Sequence, residues 1–335
     1  EIKKGTLTLA WATAARNNYV SCHGGLKIFR KEGASYVASF FGLSGSGKST
    51  LTHAKHDDKY DIEVLHDDAF VISVEDGSSV ALEPSYFDKT NDYPAGHREQ
   101  DYFVTVQNCG VTLDENGRKV LVTEDIRNGN GRTIKSRYST PNRVDKIQEP
   151  IQSIFWIMKD DALPPLVKIT DPRLASILGC TLMTKRSTAE NTGAGANLDA
   201  LVIEPYANPF RVYPLVEDYE KFKALFDKGV DCYIINTGDF LGKKVTKEVS
   251  LGVIETVVDG KANFELFGGL PGMEYLPVEG YEVPDMNGEY AELIRDRMQF
   301  RLDYLKAFND ANPEHQIPQD ALESIKTIER FIDVL

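Results

Sequence analysis

The residues with the clearest chemical signature lie between positions 42 and 50, where the chain reads G-L-S-G-S-G-K-S-T. This run fits the pattern G-x-x-x-x-G-K-[S/T], in which glycines let backbone N–H groups curl around phosphate oxygens. In that pattern Lys48 would reach the outer phosphates, and the hydroxyl of Ser49 would contact Mg2+. The run therefore predicts a site for a nucleoside triphosphate with Mg2+, contacted by Gly42, Leu43, Ser44, Gly45, Ser46, Gly47, Lys48, Ser49 and Thr50.

The elements on either side of this run are those that a phosphate-binding loop requires. Residues 35–41 predict a buried strand, and a short helix that begins near Lys48 would direct its positive end at a bound anion. A turn rich in glycine and serine could match the pattern by chance. The order of strand, loop and helix nevertheless favours nucleotide binding.

A second group of candidate residues follows the next predicted strand. Residues 60–65 predict that strand, and it ends at His66-Asp67-Asp68. Acidic residues that end a strand shortly after a phosphate-binding loop lie where an aspartate holds magnesium in related nucleotide sites. The alternative is that the two aspartates lie in a solvated turn.

The composition excludes several classes of partner. The chain has 335 residues, of which 41% are hydrophobic, and its formal net charge is -13. It can therefore bury a substantial core, and its field repels nucleic acid and anionic membranes. No apolar run approaches the roughly 18 residues of a membrane span. The four cysteines show no C-x-x-C spacing, which is typical of a protein of the reducing cytoplasm.

The rest of the chain predicts an α/β fold with a mixed sheet. Residues 6–30 predict strands and turns. Residues 71–145 predict a β-rich insertion, with an Asn-Gly hairpin turn at 114–117. Residues 153–158 and 230–236 are apolar on both faces and predict central strands.

Helices are expected in the second half of the chain, near residues 170–184 and 215–228. Two amphipathic helices form a predicted helical tail at about 287–335, and we interpret their apolar stripes as packing surfaces. No linker is evident, so we expect one domain over residues 1–335.

Several separated motifs, taken in order, resemble those of the ATP-dependent phosphoenolpyruvate carboxykinases over nearly the whole chain. The resembled part is the carboxyl-terminal, nucleotide-binding lobe of that family. Residues 2–5 resemble its M-K-K-G segment, residues 21–23 its S-M-H, and residues 40–50 its F-F-G-L-S-G-T-G-K-T-T. Residues 66–68 stand for its G-D-D, and residues 137–141 resemble its R-V-S-Y-P.

The resemblance extends to a segment that contacts adenosine, with some departures. Residues 186–192 keep the Arg, Glu and Thr spacing of R-G-I-T-E-P-T, which places Arg186 and Thr192 at adenosine contacts. The departures are His66 for a glycine, Ala69-Phe70 for E-H, Gly24-Gly25 for C-S, and a glycine-rich lengthening after Thr192. The chain thus resembles a divergent member of the family.

The resemblance implies a reaction of gluconeogenesis. Oxaloacetate and ATP give phosphoenolpyruvate, ADP and CO2, because decarboxylation leaves an enolate whose oxygen attacks the γ-phosphate. Lys4, His23 and Asp68 would ligate a transition metal such as Mn2+, with Asp67 and Ser49 beside the metal ions. A lysine ligates only when neutral, which a nearby cation and burial would favour.

The remaining implied residues bind the nucleotide and neutralise the transferring phosphoryl group. Those implied to be catalytic are Lys3, Lys4, Ser44, Lys89 and Arg137. Beyond the loop, those implied to bind the nucleotide are Arg137, Arg186 and Thr192, and the last two, with residues 40–50, predict ATP rather than GTP. Taken alone, Lys3 and Lys4 would be a solvated pair, and His23 would be a turn or core histidine.

Two other classes of function stay open at the level of sequence. A small-molecule or protein-serine kinase without decarboxylation carries a similar loop, but it would not need Lys3 and Lys4 together with His23. A nucleotide-sensing module is disfavoured because candidates for every metal and phosphate ligand are present. In the resembled family an amino-terminal lobe precedes the M-K-K-G segment. We expect that lobe to be missing here, and the chain alone to convert oxaloacetate poorly.

Overall fold

The structure is a computed structural model that describes residues 2–43, 45–89, 110–121, 132–134, 140–185 and 200–334. Its contacts divide the chain into two units. The larger unit comprises Glu1–Leu82 and Lys146–Leu335, and the smaller unit comprises Glu83–Asp145. The candidate loop and the aspartates at positions 67 and 68 all belong to the larger unit.

The described residues form helices at the start and in the second half of the chain, with a long run of strands between them. The α-helices are α1 (Ile2–Arg16), α2 (Lys48–His53), α3 (Pro172–Cys180), α4 (Leu215–Asp227), α5 (Lys247–Val258), α6 (Gly288–Ala311) and α7 (Gln319–Ile332). Short 3-10 helices cover His56–Asp58 and Pro205–Ala207. Among these described helices, none combines the length and the apolar character that crossing a bilayer would require.

The strands of the described residues are short and run through both units. They are β1 (Tyr19–His23), β2 (Gly25–Lys31), β3 (Ala34–Phe41), β4 (Asp61–His66), β5 (Ala69–Ser73), β6 (Ser79–Ala81), β7 (Phe87–Lys89), β8 (Val111–Leu113), β9 (Lys119–Leu121), β10 (Arg132–Ile134), β11 (Lys146–Ile147), β12 (Ser153–Met158), β13 (Leu166–Ile169), β14 (Met183–Lys185), β15 (Leu201–Ile203), β16 (Asp231–Asn236), β17 (Asp239–Phe240), β18 (Lys243–Lys244), β19 (Glu265–Leu266) and β20 (Met273–Tyr275).

An eight-stranded sheet in the larger unit positions the candidate loop. Its strand order is β19-β20-β13-β16-β12-β3-β2-β4. The central strands β3, β12 and β16 are parallel, whereas the flanking pairs are antiparallel. Carboxyl ends of parallel strands meet at one edge, so the loop after β3 lies beside the residues that follow β12 and β16. The fold is therefore α/β with a mixed sheet, as predicted.

Aromatic side chains lie on both faces of the central part of the sheet. Phe40, Phe155 and Tyr233 are register partners, and their rings stack at centroid separations of 5.1 and 4.9 Å. The next residues along, Phe41 and Trp156, point to the opposite face, where α4 covers them. β12 is buried throughout its length, which confirms the central strand that its apolar sequence predicts.

A second sheet carries the other half of the candidate site. It is antiparallel, with the order β1-β5-β6-β11. His23 ends β1 and pairs in register with Ala69, which begins β5. Asp67 and Asp68 form the short connection between β4 of the large sheet and β5 of the second sheet. This connection therefore brings the end of β1 next to the aspartates.

The prediction of strands and turns from residue 6 is wrong at its start, because α1 occupies that segment. Leu7, Trp11 and Ala15 are buried and recur every fourth residue, which places them on one face of a helix. β-branched residues such as threonine are common in strands. In the helix, however, Thr6 and Thr13 donate their hydroxyls to carbonyls four residues earlier.

The described residues of the smaller unit contain the predicted hairpin. β8 and β9 pair antiparallel around a turn in which the N–H of Gly117 donates to the carbonyl of Asp114 at 3.0 Å. Gly117 has a φ of 73°, a left-handed conformation that glycine adopts without strain. β7 pairs antiparallel with β10 in the same unit.

The predicted tail helices are present as α6 and α7, and their apolar stripes are buried as expected. Nε of Arg297 lies 2.9 Å from Oδ1 of Asp160, and its Nη2 lies 2.8 Å from Oδ1 of Asp161. Arg301 is 2% exposed and donates to the carbonyl of Thr181. Both arginines lie on α6, so this helix is anchored to the chain next to the central strand β12.

Candidate functional site at the carboxyl edge of the sheet

The loop between β3 and α2 fits closely against its surroundings. Gly45 and Gly47 have φ angles of 75° and 101°, in the left-handed region that favours glycine. A Cβ atom added at Gly42 would lie 2.4 Å from Oγ of Ser46 and 2.9 Å from Cβ of Ile157. Because neither distance leaves room for a carbon atom, only glycine fits at position 42.

Residues that follow the two neighbouring parallel strands hold this loop in place. Nζ of Lys159 donates to the carbonyl of Gly45 at 2.7 Å, and Oγ1 of Thr237 donates to the carbonyl of Ser46 at 2.7 Å. The side-chain amide of Asn236 donates to three carbonyls in the adjacent turns. No sequence motif marked Lys159, and only its position after β12 reveals the contact.

Asp68 is the point at which the cationic side chains converge. Its Oδ1 lies 2.9 Å from Nε2 of His23 and 3.9 Å from Nζ of Lys48. Its Oδ2 lies 3.1 Å from Nζ of Lys3 and 3.7 Å from Nζ of Lys4. These groups come from α1, β1 and α2, far apart in sequence. The structure thus brings five of the predicted site residues together, which we call the Asp68 cluster.

The ring of His23 is held in a defined orientation. Its Nδ1 lies 2.5 Å from the carbonyl of Ala207, and Trp11 and Phe210 meet the ring edge to face at 6.0 and 5.6 Å. Both ring nitrogens therefore face acceptors, since Nε2 faces Asp68. A neutral imidazole donates from one nitrogen alone. The pair therefore suits a proton between Nε2 and the carboxylate, or a metal ion bound beside both atoms.

Burial and neighbouring charges set the protonation of these two groups. Burial, followed by the charge of Lys48, lowers the pKa of His23 below its ordinary value. Burial alone would raise the pKa of Asp68, but the interaction with His23 and the charges of Lys48 and Lys4 hold it well below its usual range. Neutral imidazole and ionised carboxylate are the forms in which these side chains ligate metal ions.

Asp67 and His66 have roles different from that of Asp68. Asp67 pairs with His53 of α2, with Oδ2 3.1 Å from Nε2. Burial alone would raise the pKa of Asp67, but this contact lowers it. The fully buried His66 accepts the backbone N–H groups of Asp68 and Ala69 at its Nδ1, at 3.0 and 2.9 Å. His66 replaces a glycine of the resembled motif, and it fixes the backbone that presents Asp68.

The other predicted site residues lie outside the Asp68 cluster or outside the described residues. Ser49 and Thr50 are exposed on the first turn of α2, and Leu43 is half-buried with its carbonyl accepting from the N–H of Ser46. The backbone of Lys89 lies in β7 of the smaller unit, and its side chain lies outside the described part of the chain. Outside it as well are Ser44, Arg137, Arg186 and Thr192.

The chemistry of the donor atoms limits how a metal could bind here. Within the described ranges, no three His, Cys, Asp or Glu side chains are grouped to hold a metal ion. A metal at Asp68 would therefore need a further ligand, and Nζ of Lys4 lies 3.7 Å from Oδ2. The same Nζ lies 4.3 Å from the ring centre of Phe210, and it would have to lose a proton before it could bind a metal ion. Nitrogen with oxygen donors suits Mn2+.

The larger unit is thus an α/β structure whose mixed sheet presents a glycine-rich loop beside a cationic cluster. Comparison with known families agrees with this arrangement. The sequence profile of phosphoenolpyruvate carboxykinase, in its ATP-dependent form, matches residues 1–285. The chain therefore belongs to the ATP-dependent phosphoenolpyruvate carboxykinase family. Helices α6 and α7 lie beyond the matched region.

The chain is also similar, at low sequence identity, to a curated protein of this family. The chain is 25% identical over 337 aligned positions to phosphoenolpyruvate carboxykinase (ATP) of Aeropyrum pernix. The alignment covers 90% of this chain and 64% of the relative. The chain thus spans just under two thirds of the length of that relative.

Proposed function

We propose that this chain binds MgATP at residues 42–50 and Mn2+ at Lys4, His23 and Asp68, as the nucleotide and metal site of an ATP-dependent phosphoenolpyruvate carboxykinase. The proposed reaction converts oxaloacetate and ATP into phosphoenolpyruvate, ADP and CO2. The observation that carries the proposal is the convergence of three lysines and His23 on Asp68, next to the loop. In a chain with a net charge of -13, this cluster is a local cationic site for anionic substrates.

Lys48 is suited to the role of phosphate ligand. Its side chain is 12% exposed, and its Nζ lies 3.9 Å from Oδ1 of Asp68, which is longer than a hydrogen bond. An ammonium held this loosely is free to turn toward a stronger anion such as a triphosphate. We assign Ser49, which is exposed next to it, to the Mg2+ of MgATP.

The Asp68 cluster would stabilise the negative charge that develops during decarboxylation. Bound Mn2+ would act there as a Lewis acid toward the substrate oxygen that gains this charge. Lys3 keeps its ammonium 3.1 Å from Oδ2 of Asp68 and offsets the carboxylate. His23 and Asp68 provide a lone pair and a negative charge that face each other at 2.9 Å.

Residues whose side chains lie outside the described part of the chain complete the proposal. We assign Lys89 and Arg137 to the transferring phosphoryl group, Ser44 to the substrate or CO2, and Arg186 and Thr192 to adenosine. The name of the Aeropyrum pernix relative, which specifies ATP, supports this nucleotide over GTP.

Titration calorimetry with MgATP tests the nucleotide site. Removing the ammonium in Lys48→Ala is expected to weaken ATP binding at least about tenfold, since it removes a charge-assisted contact to phosphate. The matched control is Lys55→Ala, because Lys55 is an exposed lysine just beyond α2 and should leave affinity unchanged. If Lys48→Ala and the original chain bound ATP equally well, the proposed nucleotide site would be wrong.

An assay of product formation tests the reaction itself. Oxaloacetate and ATP are supplied with Mn2+, and phosphoenolpyruvate and CO2 are both measured. The proposal expects the two products in equal amounts and expects both to depend on Mn2+. Phosphoryl transfer to another acceptor without release of CO2 would instead identify a kinase.

A further inference from the structure

Lys27 is a fully buried lysine on β2, outside the Asp68 cluster. Its Nζ donates to the carbonyl of Leu51 at 2.6 Å and to the carbonyl of Ala54 at 3.1 Å, and it lies 3.0 Å from Nε2 of His56. An ammonium has three hydrogens and accepts none. Two carbonyls and one imidazole lone pair therefore match its hydrogen-bonding capacity.

A buried ammonium is retained only where its surroundings compensate its charge. The compensation comes through His56, whose Nδ1 lies 2.9 Å from Oε1 of Glu255 on α5. The ring of Phe29 adds a contact, with its centre 4.7 Å from Nζ of Lys27. Lys27, His56 and Glu255 thus form a continuous chain of contacts from the core to α5.

The two carbonyls that accept from Lys27 both lie at the end of α2. Leu51 lies in the last turn of α2 and Ala54 directly follows it. Carbonyls at the end of a helix have no partner within the helix. Six residues are too few for a helix to be stable by itself. The ammonium of Lys27 therefore caps α2, whose first turn carries Lys48 and Ser49.

The backbone that follows α2 is strained, which is a second sign that contacts restrain this segment. His56, Asp57 and Asp58 have φ angles of 53°, 51° and 57°, so three consecutive residues that are not glycine adopt the left-handed conformation. Such residues persist only where contacts hold them. The contacts of His56 with Lys27 and Glu255 provide that restraint.

We propose that Lys27 is a positioning residue for nucleotide binding, which fixes α2 and thereby the placement of Lys48 and Ser49. This inference rests on the MgATP site proposed above. Lys27 does not contact the nucleotide. Its effect passes through the end of α2 to the beginning of the same helix. The other members of the Asp68 cluster lie on α1, on β1 and in the connection between β4 and β5.

The test compares two lysines of the same strand. Lys27→Met removes the ammonium but keeps a long apolar side chain, and Lys31→Met removes an exposed ammonium 3.6 Å from Asp259. Affinities for MgATP and for Mn2+ are measured by calorimetry at a temperature where circular dichroism shows both variants to be folded. Lys27→Met is expected to weaken ATP binding about tenfold while Mn2+ binding stays unchanged. Lys31→Met should change neither.

The outcomes separate this inference from the proposed function. If the original chain bound no ATP, the proposed nucleotide site would fail. If the original chain bound ATP and Lys27→Met bound it equally well, the positioning role would be wrong. Equal losses of ATP and Mn2+ binding would show a purely structural role. Should Lys27→Met not fold, Glu255→Gln replaces it and is expected to weaken ATP binding two- to threefold, and no change would overturn the inference.

Discussion

Substituting alanine for Gly42 should disrupt nucleotide binding through a steric effect that the structure makes explicit. The new Cβ would lie 2.4 Å from Oγ of Ser46 and 2.9 Å from Cβ of Ile157. Ile157 belongs to β12. This strand is buried throughout its length, so it has no free space into which it could shift. Ser46 is 3% exposed, and Thr237 holds its carbonyl. The loop itself must therefore move, by about 1 Å if it is to reach ordinary contact distances.

The size of the expected loss of ATP affinity follows from the free-energy cost of overpacking. Extra methyl groups in tightly packed surroundings typically cost about 1–3 kcal/mol. If that cost applies to the loop conformation that binds phosphate, ATP affinity should fall by a factor of about 5 to 150. The loss should appear in the dissociation constant for MgATP, measured by titration calorimetry.

The control is a glycine at which the structure leaves open space. Gly252 lies within α5, and a Cβ added there meets nothing within 4 Å. Gly252→Ala should leave ATP affinity unchanged and stabilise the fold by up to about 1 kcal/mol, because alanine favours helices. Scanning calorimetry separates stability from affinity in both variants. Wild-type ATP affinity in Gly42→Ala would refute the argument that the loop is rigidly fitted.

Further predictions concern the cluster, the fold and the pH dependence of stability. Asp68→Asn should weaken Mn2+ binding about a hundredfold in calorimetry, whereas Asp67→Asn should change it little. Arg297→Met should lower the free energy of unfolding by about 3 kcal/mol in urea titrations, because Asp160 would be left buried without its arginine. Burial and then the charge of Lys27 lower the pKa of His56 from 6.5 to about 4. The unfolded chain therefore binds this proton more readily, and stability should fall as the pH drops from 6.5 toward 4. His56→Gln should flatten that part of the profile, and an unchanged slope would contradict the assignment.

Local patterns in the sequence predict much of the fold because they report burial directly. The mostly apolar strands β3, β12 and β16 require cover on both faces, and the stripes of α6 and α7 require cover on one. The Asn-Gly turn at 114–117 fixes its hairpin through the conformation of Gly117. In each case the determining contacts are near in sequence or repeat at a regular spacing.

Other features of the structure cannot be predicted from the sequence. They depend on contacts between residues far apart in the chain, on backbone groups, or on patterns that fit more than one structure. The partner of Nδ1 of His23 is the backbone carbonyl of Ala207, which lies 184 positions away. α1 was missed because the stripe of Leu7, Trp11 and Ala15 is mixed with β-branched residues that favour strands. Lys27 looks like any solvated lysine in the sequence, and only the fold shows that it is buried.

The anchoring of α6 has a consequence for where this protein can be divided. The matched family region ends at residue 285, before α6 begins. Yet Ile294 and Leu305 are fully buried, and Arg297 neutralises Asp160, which is 1% exposed. A fragment that stopped at the family boundary would leave an uncompensated carboxylate and an open apolar surface directly behind the strand beside the candidate loop. The similarity to the family ends at residue 285, but ending the protein there would remove residues that belong to its hydrophobic core.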